Sequence, residues 1–168
     1  NEGNFLNYGK PSLPHFTRLL TIPNEKNVSI EITNLETEII NDIIIYPAQQ
    51  TQLEKGSNVN EFYIDEHYYK NGKNFPDTIV EIGEPAIMRD LRVVTLTVIP
   101  FQFDPIQHQL TIIKKIDINI SYNGRNTQNI KFSTHKTSKT FEDLYKATVL
   151  NYIPMRDDDY IQPNYLFI

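Results

Sequence analysis

The side chains that could do chemistry lie scattered along the chain. The four histidines, His15, His67, His108 and His135, include no pair at one-turn spacing and none beside a serine nucleophile. Neither a metal site nor a nucleophile–base pair is therefore written in their spacing, and surface histidine is the plain reading. Glu61, Asp65, Glu66 and His67 have the composition of an acid–base pair or a metal site. General acid–base work needs two groups held across a substrate, and nothing in the sequence enforces that, so a solvated loop beside a strand accounts for them equally well. Asp157-Asp158-Asp159 offers carboxylates but no turn glycine to shape a calcium loop, and reads as an exposed linker. The chain has no cysteine, which excludes a thiol nucleophile, a disulfide framework and a thiolate metal site within it. No metal and no cofactor is expected.

The aromatic residues are more concentrated. Phe62, Tyr63, Tyr68, Tyr69 and Phe75 crowd a loop-like stretch rich in Asn, Gly and Lys. Aromatic faces stack on sugars or anchor protein partners because they supply large contact area at little entropic cost. Packing over one open end of the fold would use them as well. Any of the four tyrosines and phenylalanines from Phe62 to Tyr69 that is exposed marks a partner surface.

The elements that must position these residues are strands. Ile116, Ile118, Ile120 and Tyr122 alternate with Asp117, Asn119 and Ser121, the two-residue period of a sheet wet on one face. Val28 to Ile32 repeats it. Ile39-Ile40 through Ile43-Ile44-Ile45-Tyr46 is a denser β-branched run, expected as a strand buried on both faces. Leu91 to Ile99 is a further strand; Pro100 and Pro105 mark a connection before Leu110 to Ile113 resumes the pattern. Shorter strands are expected near Phe16 to Thr21, Thr78 to Ile82 and Ile130 to Phe132. Most of the ten prolines and six glycines fall between these runs, where turn chemistry belongs. The sum is an all-β fold, an antiparallel β-sandwich of jelly-roll or barrel-like form.

One segment departs from the pattern. From Thr140, the residues Phe141, Leu144, Tyr145, Thr148 and Val149 recur at helical spacing, with Thr140 and Asp143 as a capping pair. This gives one short C-terminal helix. Beyond it, Pro154 to Asp159 is polar and non-periodic, and Asn164 to Ile168 turns apolar again, as a strand would open. The expected organisation is a domain over 1–150, a linker over 151–163, and the first strand of a following domain over 164–168.

Size and charge limit the partners. A chain of 168 residues fits one domain, burying about two-thirds of its unfolded surface. With 16 Lys and Arg against 21 Asp and Glu the net charge is −5, and no basic stripe is present to track a phosphate backbone, so nucleic acid is not an expected partner. The apolar runs are too short to span a bilayer, so membrane insertion is not expected. The start Asn1-Glu2-Gly3 suggests that any export signal lies outside this chain.

An ordered set of short motifs adds to this reading. Gly9-Lys10-Pro11-Ser12-Leu13-Pro14, Arg18, Ile44-Ile45-Tyr46-Pro47, Asn74-Phe75-Pro76, Arg89-Asp90-Leu91-Arg92 and Pro100-Phe101-Gln102-Phe103-Asp104-Pro105 occur in sequence, followed by Phe141-Glu142-Asp143-Leu144-Tyr145-Lys146 and Asn151-Tyr152. Covering nearly the whole chain from Gly9, the set resembles the propeptides of gingipain-like cysteine peptidases, which have a caspase-like catalytic fold. The resemblance implies a β-sandwich prodomain of a secreted or bacterial cell-surface protein exported through the periplasm. Such a prodomain inhibits and helps to fold its cognate cysteine peptidase catalytic domain, and is removed by proteolysis. Arg156 stands where the family is cut, in a charged linker of the kind that proteases nick. In arginine-specific relatives a basic side chain from the loop after the I-x-P strand enters the specificity pocket. Glu54 aligns with it here and Lys55 follows, so Lys55 takes the role, the cognate enzyme prefers another side chain, or inhibition is steric. A charge buried in such a pocket must be paired, so this residue should track the enzyme's preference. Two further readings come from the residues themselves: a carbohydrate-binding or adhesion module using the aromatic cluster, and a hydrolase using the acidic residues.

Overall fold

The architecture is given by a computed structural model that describes residues 2–4, 7–49, 62–132 and 139–154. Glu54, Lys55, Glu61, His135, Arg156, Asp157 to Asp159 and the segment 164–168 lie outside the described residues. Eight strands are assigned among the described residues: β1 Glu2–Asn4, β2 Pro14–Thr21, β3 Asn27–Ile40, β4 Val80–Ile82, β5 Ala86–Met88, β6 Leu91–Val98, β7 Phe101–Asp104 and β8 Gln109–Asn123. The helices are α1, Glu66–Asn71, and α2, Glu142–Thr148, the latter entered through a 3-10 turn at Lys139–Phe141. One sheet has the order β1-β2-β6-β4, with β5 also pairing β6; the other has the order β3-β8-β7. The expected all-β class, with mostly antiparallel strands in two sheets and a short C-terminal helix, is the one observed.

β6 is central to its sheet, and its sequence suits that place. Leu91, Val93, Val94 and Leu96 are buried, as suits a strand covered on both faces, and Arg92 between them is buried with its guanidinium hydrogen-bonded to backbone carbonyls. β8 shows the expected alternation: Ile116, Ile118 and Ile120 are half-buried, while Asp117 and Asn119 are exposed. It runs from Gln109 without interruption, so the two apolar runs read from the sequence are one strand.

Four expectations at the level of elements are corrected. The run from Ile39 to Tyr46 is not a doubly buried strand. β3 ends at Ile40, and the backbone turns left-handed at Asp42 (φ 58°), a conformation that short polar side chains tolerate. Ile43 and Ile45 then pack inward while Ile44 and Tyr46 are exposed. The stretch between Pro100 and Pro105 is a strand, β7, paired to β8 in the register Phe101–Ile112 to Asp104–Gln109; both prolines lie just outside its ladder. Ile130 to Phe132 forms no strand, because its backbone is held by a side chain instead: Lys131 N donates to Asn24 Oδ1 at 2.7 Å and Asn24 Nδ2 to Lys131 O at 3.0 Å. Finally, residues 66–71 are helical where a loop was expected, since Asp65 Oδ1 accepts from Tyr68 N at 2.9 Å as an N-cap. At α2 the cap position is Phe141, one residue after Thr140, and Phe141 itself carries no side-chain cap bond.

The chain divides into two compact units. The first comprises Asn1–Thr17, Glu31–Glu81 and Thr97–Asn119. Its core joins Leu13, Tyr68, Phe75 and Phe103, with Ile43, Ile45, Tyr69, Phe101 and Leu110 against them. The second comprises Arg18–Ile30, Ile82–Leu96 and Ile120–Ile168. There Leu91 and Val93 of β6 meet Tyr145 and Val149, flanked by Leu19, Met88, Phe141 and Tyr152. No helix among the described residues is long and apolar enough to cross a membrane.

Candidate functional site

In the first unit, two strips of chain meet at the ends of segment 50–61. Gly9 N donates to Ala48 O (2.9 Å), Ala48 N to Lys10 O (2.8 Å) and Ser12 N to Tyr46 O (3.1 Å), so residues 9–12 run beside 46–48. Asp65 N closes on the same strip through Gly9 O at 3.0 Å. Gly9 has a positive φ of 81°, and a Cβ there would stand 2.4 Å from Tyr63 Cε1 and 2.9 Å from Asp65 N. Only glycine satisfies both the backbone angle and the close approach. Gln49 completes the junction, with Nε2 donating to Tyr63 O at 2.7 Å and Oε1 accepting from Tyr63 N at 2.9 Å.

The outer side of this junction is apolar and open. Ile44, Tyr46, Phe62 and Tyr63 are 77%, 75%, 58% and 58% exposed. The rings of Tyr46 and Phe62 meet edge to face, 5.9 Å between centroids. Exposed apolar side chains in contact, unlike scattered ones, mark interaction surfaces.

The inner side is packed. Tyr68 is only 7% exposed. Its hydroxyl donates to Phe103 O at 3.1 Å, and its ring meets Tyr69 and Phe75 edge to face. The Tyr69 hydroxyl donates to Ile45 O at 2.9 Å. Burial pushes both phenols above their ordinary range, and for Tyr68 the neighbouring Tyr69, Asp104 and Asp77 add to it. Of the four aromatics expected at a partner surface, Phe62 and Tyr63 are therefore exposed, whereas Tyr68 is core and Tyr69 half-buried. The helix separates them: α1 turns its tyrosines inward after the extended stretch 62–65.

The polar candidates among the described residues are not brought together. Asp65 caps α1, Glu66 pairs with Lys70 at 2.6 Å, and His67 is exposed. No cluster of three or more His, Asp or Glu placed to hold a metal occurs among the described residues. A cavity of about 380 Å³ lies over the Tyr68 and Phe75 rings; its lining opposes Lys10 and Lys73 to Asp77 and Glu81.

In the second unit the described residues that precede Arg156 are held through Tyr152. Tyr145 is fully buried, and its hydroxyl donates to Asp90 Oδ2 at 3.2 Å. Leu150 N donates to Leu19 O at 2.9 Å, Asn151 binds the backbone of Thr21, and the Tyr152 ring lies 5.3 Å from that of Tyr145. Ile153 is then 81% exposed. Sequence reasoning did not single out Gln49, Ile44 or Asn151 as working parts. Gln49 has no distinguishing signal beside Gln50 and Gln52, while Asn151 was quoted only as part of a motif.

Residues 1–158 match the Propeptide_C25 family. Gingipain R2 of Porphyromonas gingivalis is 27% identical over 146 residues, covering 86% of this chain and 20% of the relative. Gingipain R1 of the same organism is 26% identical over 148 residues, covering 88% of this chain and 15% of the relative. The chain thus spans a fifth or less of the length of these curated relatives. A solved complex of Porphyromonas gingivalis RgpB pro- and mature domains superposes with a TM-score of 0.74 at 25% identity, covering 90% of this chain and 77% of that one. A structure described as bearing on the zymogenic latency of gingipain K from the same organism gives 0.63 at 18% identity, covering 73% and 71%; it shares the fold. With the family matched from residue 1 to 158 of 168, this chain belongs to the gingipain propeptides, the Propeptide_C25 family.

Proposed function

We propose that the chain is the propeptide of a secreted or cell-surface gingipain-like cysteine endopeptidase, reached through the periplasm, which it inhibits intramolecularly and helps to fold until proteolysis removes it. The observation that carries this reading is the likeness, over 90% of the chain, to a structure solved as a complex of pro- and mature domains. The chain supplies no cysteine, so the nucleophile belongs to the partner, a peptidase catalytic domain. Segment 50–61 carries the inhibitory residues Glu54 and Lys55, and the exposed Ile44, Tyr46, Phe62 and Tyr63 on its flanks form the surface that meets the enzyme. Aromatic anchors beside a charged tip suit such a contact, because buried rings carry most binding energy at interfaces while the tip sets specificity. Residues 151–163 are the linker, cut after Arg156, and 164–168 open the catalytic domain.

A carbohydrate-binding role draws less support, since Tyr68 and Tyr69 are turned into the core. The test is inhibition in trans. The 168-residue chain, added at a stoichiometric ratio to the mature peptidase of its parent protein, should slow turnover. Replacing Lys55 or Glu54 by Ala should weaken that effect, whichever of the two enters the pocket. Unchanged turnover removes the inhibitory role; an unchanged refolding yield of the denatured peptidase removes the assisting one. Activation products should begin at Asp157.

A further inference from the structure

The cavity over the Tyr68 and Phe75 rings has a fixed floor. Both residues are buried. Phe75 and Phe103 exchange two backbone hydrogen bonds, of 3.0 and 2.9 Å, the Tyr68 hydroxyl donates to Phe103 O, and Gln102 Nε2 donates to Pro76 O at 2.8 Å. At about 380 Å³ the space is at the lower end of the range of small-molecule sites. A floor held by backbone bonds costs little to organise when a ligand arrives.

The charges around this floor are not matched to one another. Lys10 and Lys73 share the lining with Asp77 and Glu81, and none of the four is in an ion pair among the described residues. Lys10 is half-buried, its ammonium 5.7 Å from the Tyr68 ring centroid and 5.4 Å from that of Phe75. The π faces hold that cation in place but carry no net charge, which leaves it open to an anion. The Asp77 carboxylate is near enough to the floor to help raise the Tyr68 phenol. Glu81 Oε1 accepts from Thr78 Oγ1 at 2.8 Å, and its second oxygen has no partner among the described residues. Unpaired charges of both signs beside an aromatic floor complement a molecule that carries both signs and an apolar body. We infer that the cavity binds a short peptide with both termini free: Lys10 takes the carboxylate, Asp77 and Glu81 take the ammonium, and the two rings take an aromatic side chain. Peptide capture here requires neither inhibition by the chain nor its cleavage.

Equilibrium dialysis of the 168-residue chain against glycyl-L-phenylalanine at neutral pH should show saturable binding. Acetylating the peptide's amine or amidating its carboxyl should each weaken binding about tenfold, the loss of one charge-assisted contact. Lys10→Met keeps an apolar stem and removes the charge, so it should weaken the free dipeptide about tenfold and leave the amide unaffected. The pair Asp77→Asn and Glu81→Gln should weaken the free dipeptide and spare the acetylated one. Merely structural roles would weaken all three peptides alike. Melting temperatures should stay within about 2 °C of wild type, as for substitutions outside the core. Absence of saturable binding at millimolar dipeptide overturns the site. Equal affinity for free and blocked peptides overturns the assignment of the charges, and undiminished binding in both variants places the peptide elsewhere on the chain.

Discussion

Asn151 grips the backbone of Thr21 at both of its polar groups: Thr21 N donates to Asn151 Oδ1 at 2.8 Å, and Asn151 Nδ2 donates to Thr21 O at 2.9 Å. A third bond, from Nδ2 to the Tyr122 hydroxyl at 3.2 Å, fixes the amide's orientation. The side chain stands in for a strand residue where the chain leaves α2.

Asn151→Leu should therefore cost about 1–3 kcal/mol, the desolvation left on two unpaired backbone groups. Urea denaturation measures the loss, and faster tryptic cleavage after Lys146 would place it in the C-terminal segment. Asn151→Asp keeps the acceptor for Thr21 N but sets an anion against Thr21 O. Its deficit should exceed that of Leu at neutral pH and shrink as the pH falls through the carboxylate range near about 4.

Arg92 offers a second test. Though only 3% exposed, it hydrogen-bonds only neutral oxygens among the described residues: Nη1 donates to Pro23 O and Lys26 O, Nη2 to Asn126 O, Asn126 Oδ1 and Gln128 O, and Nε to Gln128 O. The fork ties the 23–26 turn to the 126–128 turn. Lysine has three donors from one point and cannot span both turns. Arg92→Lys should lose about 2 kcal/mol, and Arg92→Met about 3 kcal/mol or more as carbonyls go unpaired. Equal stability of Met and wild type in urea would show that water takes over the carbonyls.

These contacts explain which parts of the fold were legible in the sequence. The motifs carrying the family resemblance bind one another. The Gly9 to Pro14 run hydrogen-bonds to Tyr46 and Ala48, and Phe75 exchanges two backbone bonds with Phe103 while Gln102 Nε2 reaches Pro76 O at 2.8 Å. Arg89 lies 3.7 Å over the Phe141 ring, and Asp90 receives Tyr145. Strands such as β6 and β8 announced themselves by period, because one or both faces are buried. The run through Ile39 to Tyr46 did not, since composition is silent about a left-handed turn at Asp42. The aromatic cluster failed for a related reason: rings at 62–63 and 68–69 look alike in sequence, and only the Asp65 cap decides that α1 carries the second pair inward. Gln49 was illegible because its role is geometric, a matter of which backbone residue lies within reach.

Gly9 yields a third prediction. A Cβ at φ 81° would press on the Tyr63 ring and on Asp65 N, adding a clash to the roughly 1–2 kcal/mol that a left-handed angle costs an L-residue. Gly9→Ala should therefore destabilise the first unit by about 2 kcal/mol or more, measured in urea. Gly124, also at positive φ (63°), has nothing within 4 Å of a Cβ, so Gly124→Ala should show the backbone cost alone. A similar loss at both positions would mean that Tyr63 moves aside.

The buried phenols predict an alkaline limit to stability. Burial raises the Tyr68 and Tyr145 hydroxyls above the ordinary 10.0, with Asp90 adding to the effect at Tyr145. A group whose folded pKa is raised stabilises the fold fully below its unfolded pKa, because both states are then protonated. Above that value the unfolded chain loses its proton first, so stability falls as the pH rises past about 10 toward the folded values. Unfolding free energy should thus be flat with respect to these groups from neutrality to about pH 9 and decline above it. Tyr68→Phe and Tyr145→Phe each remove one ionisation along with one hydrogen bond, to Phe103 O and Asp90 Oδ2. Each variant should start about 1 kcal/mol lower at pH 8 and lose less than wild type between pH 9 and 11. A parallel decline in all three proteins would assign the alkaline transition to other groups.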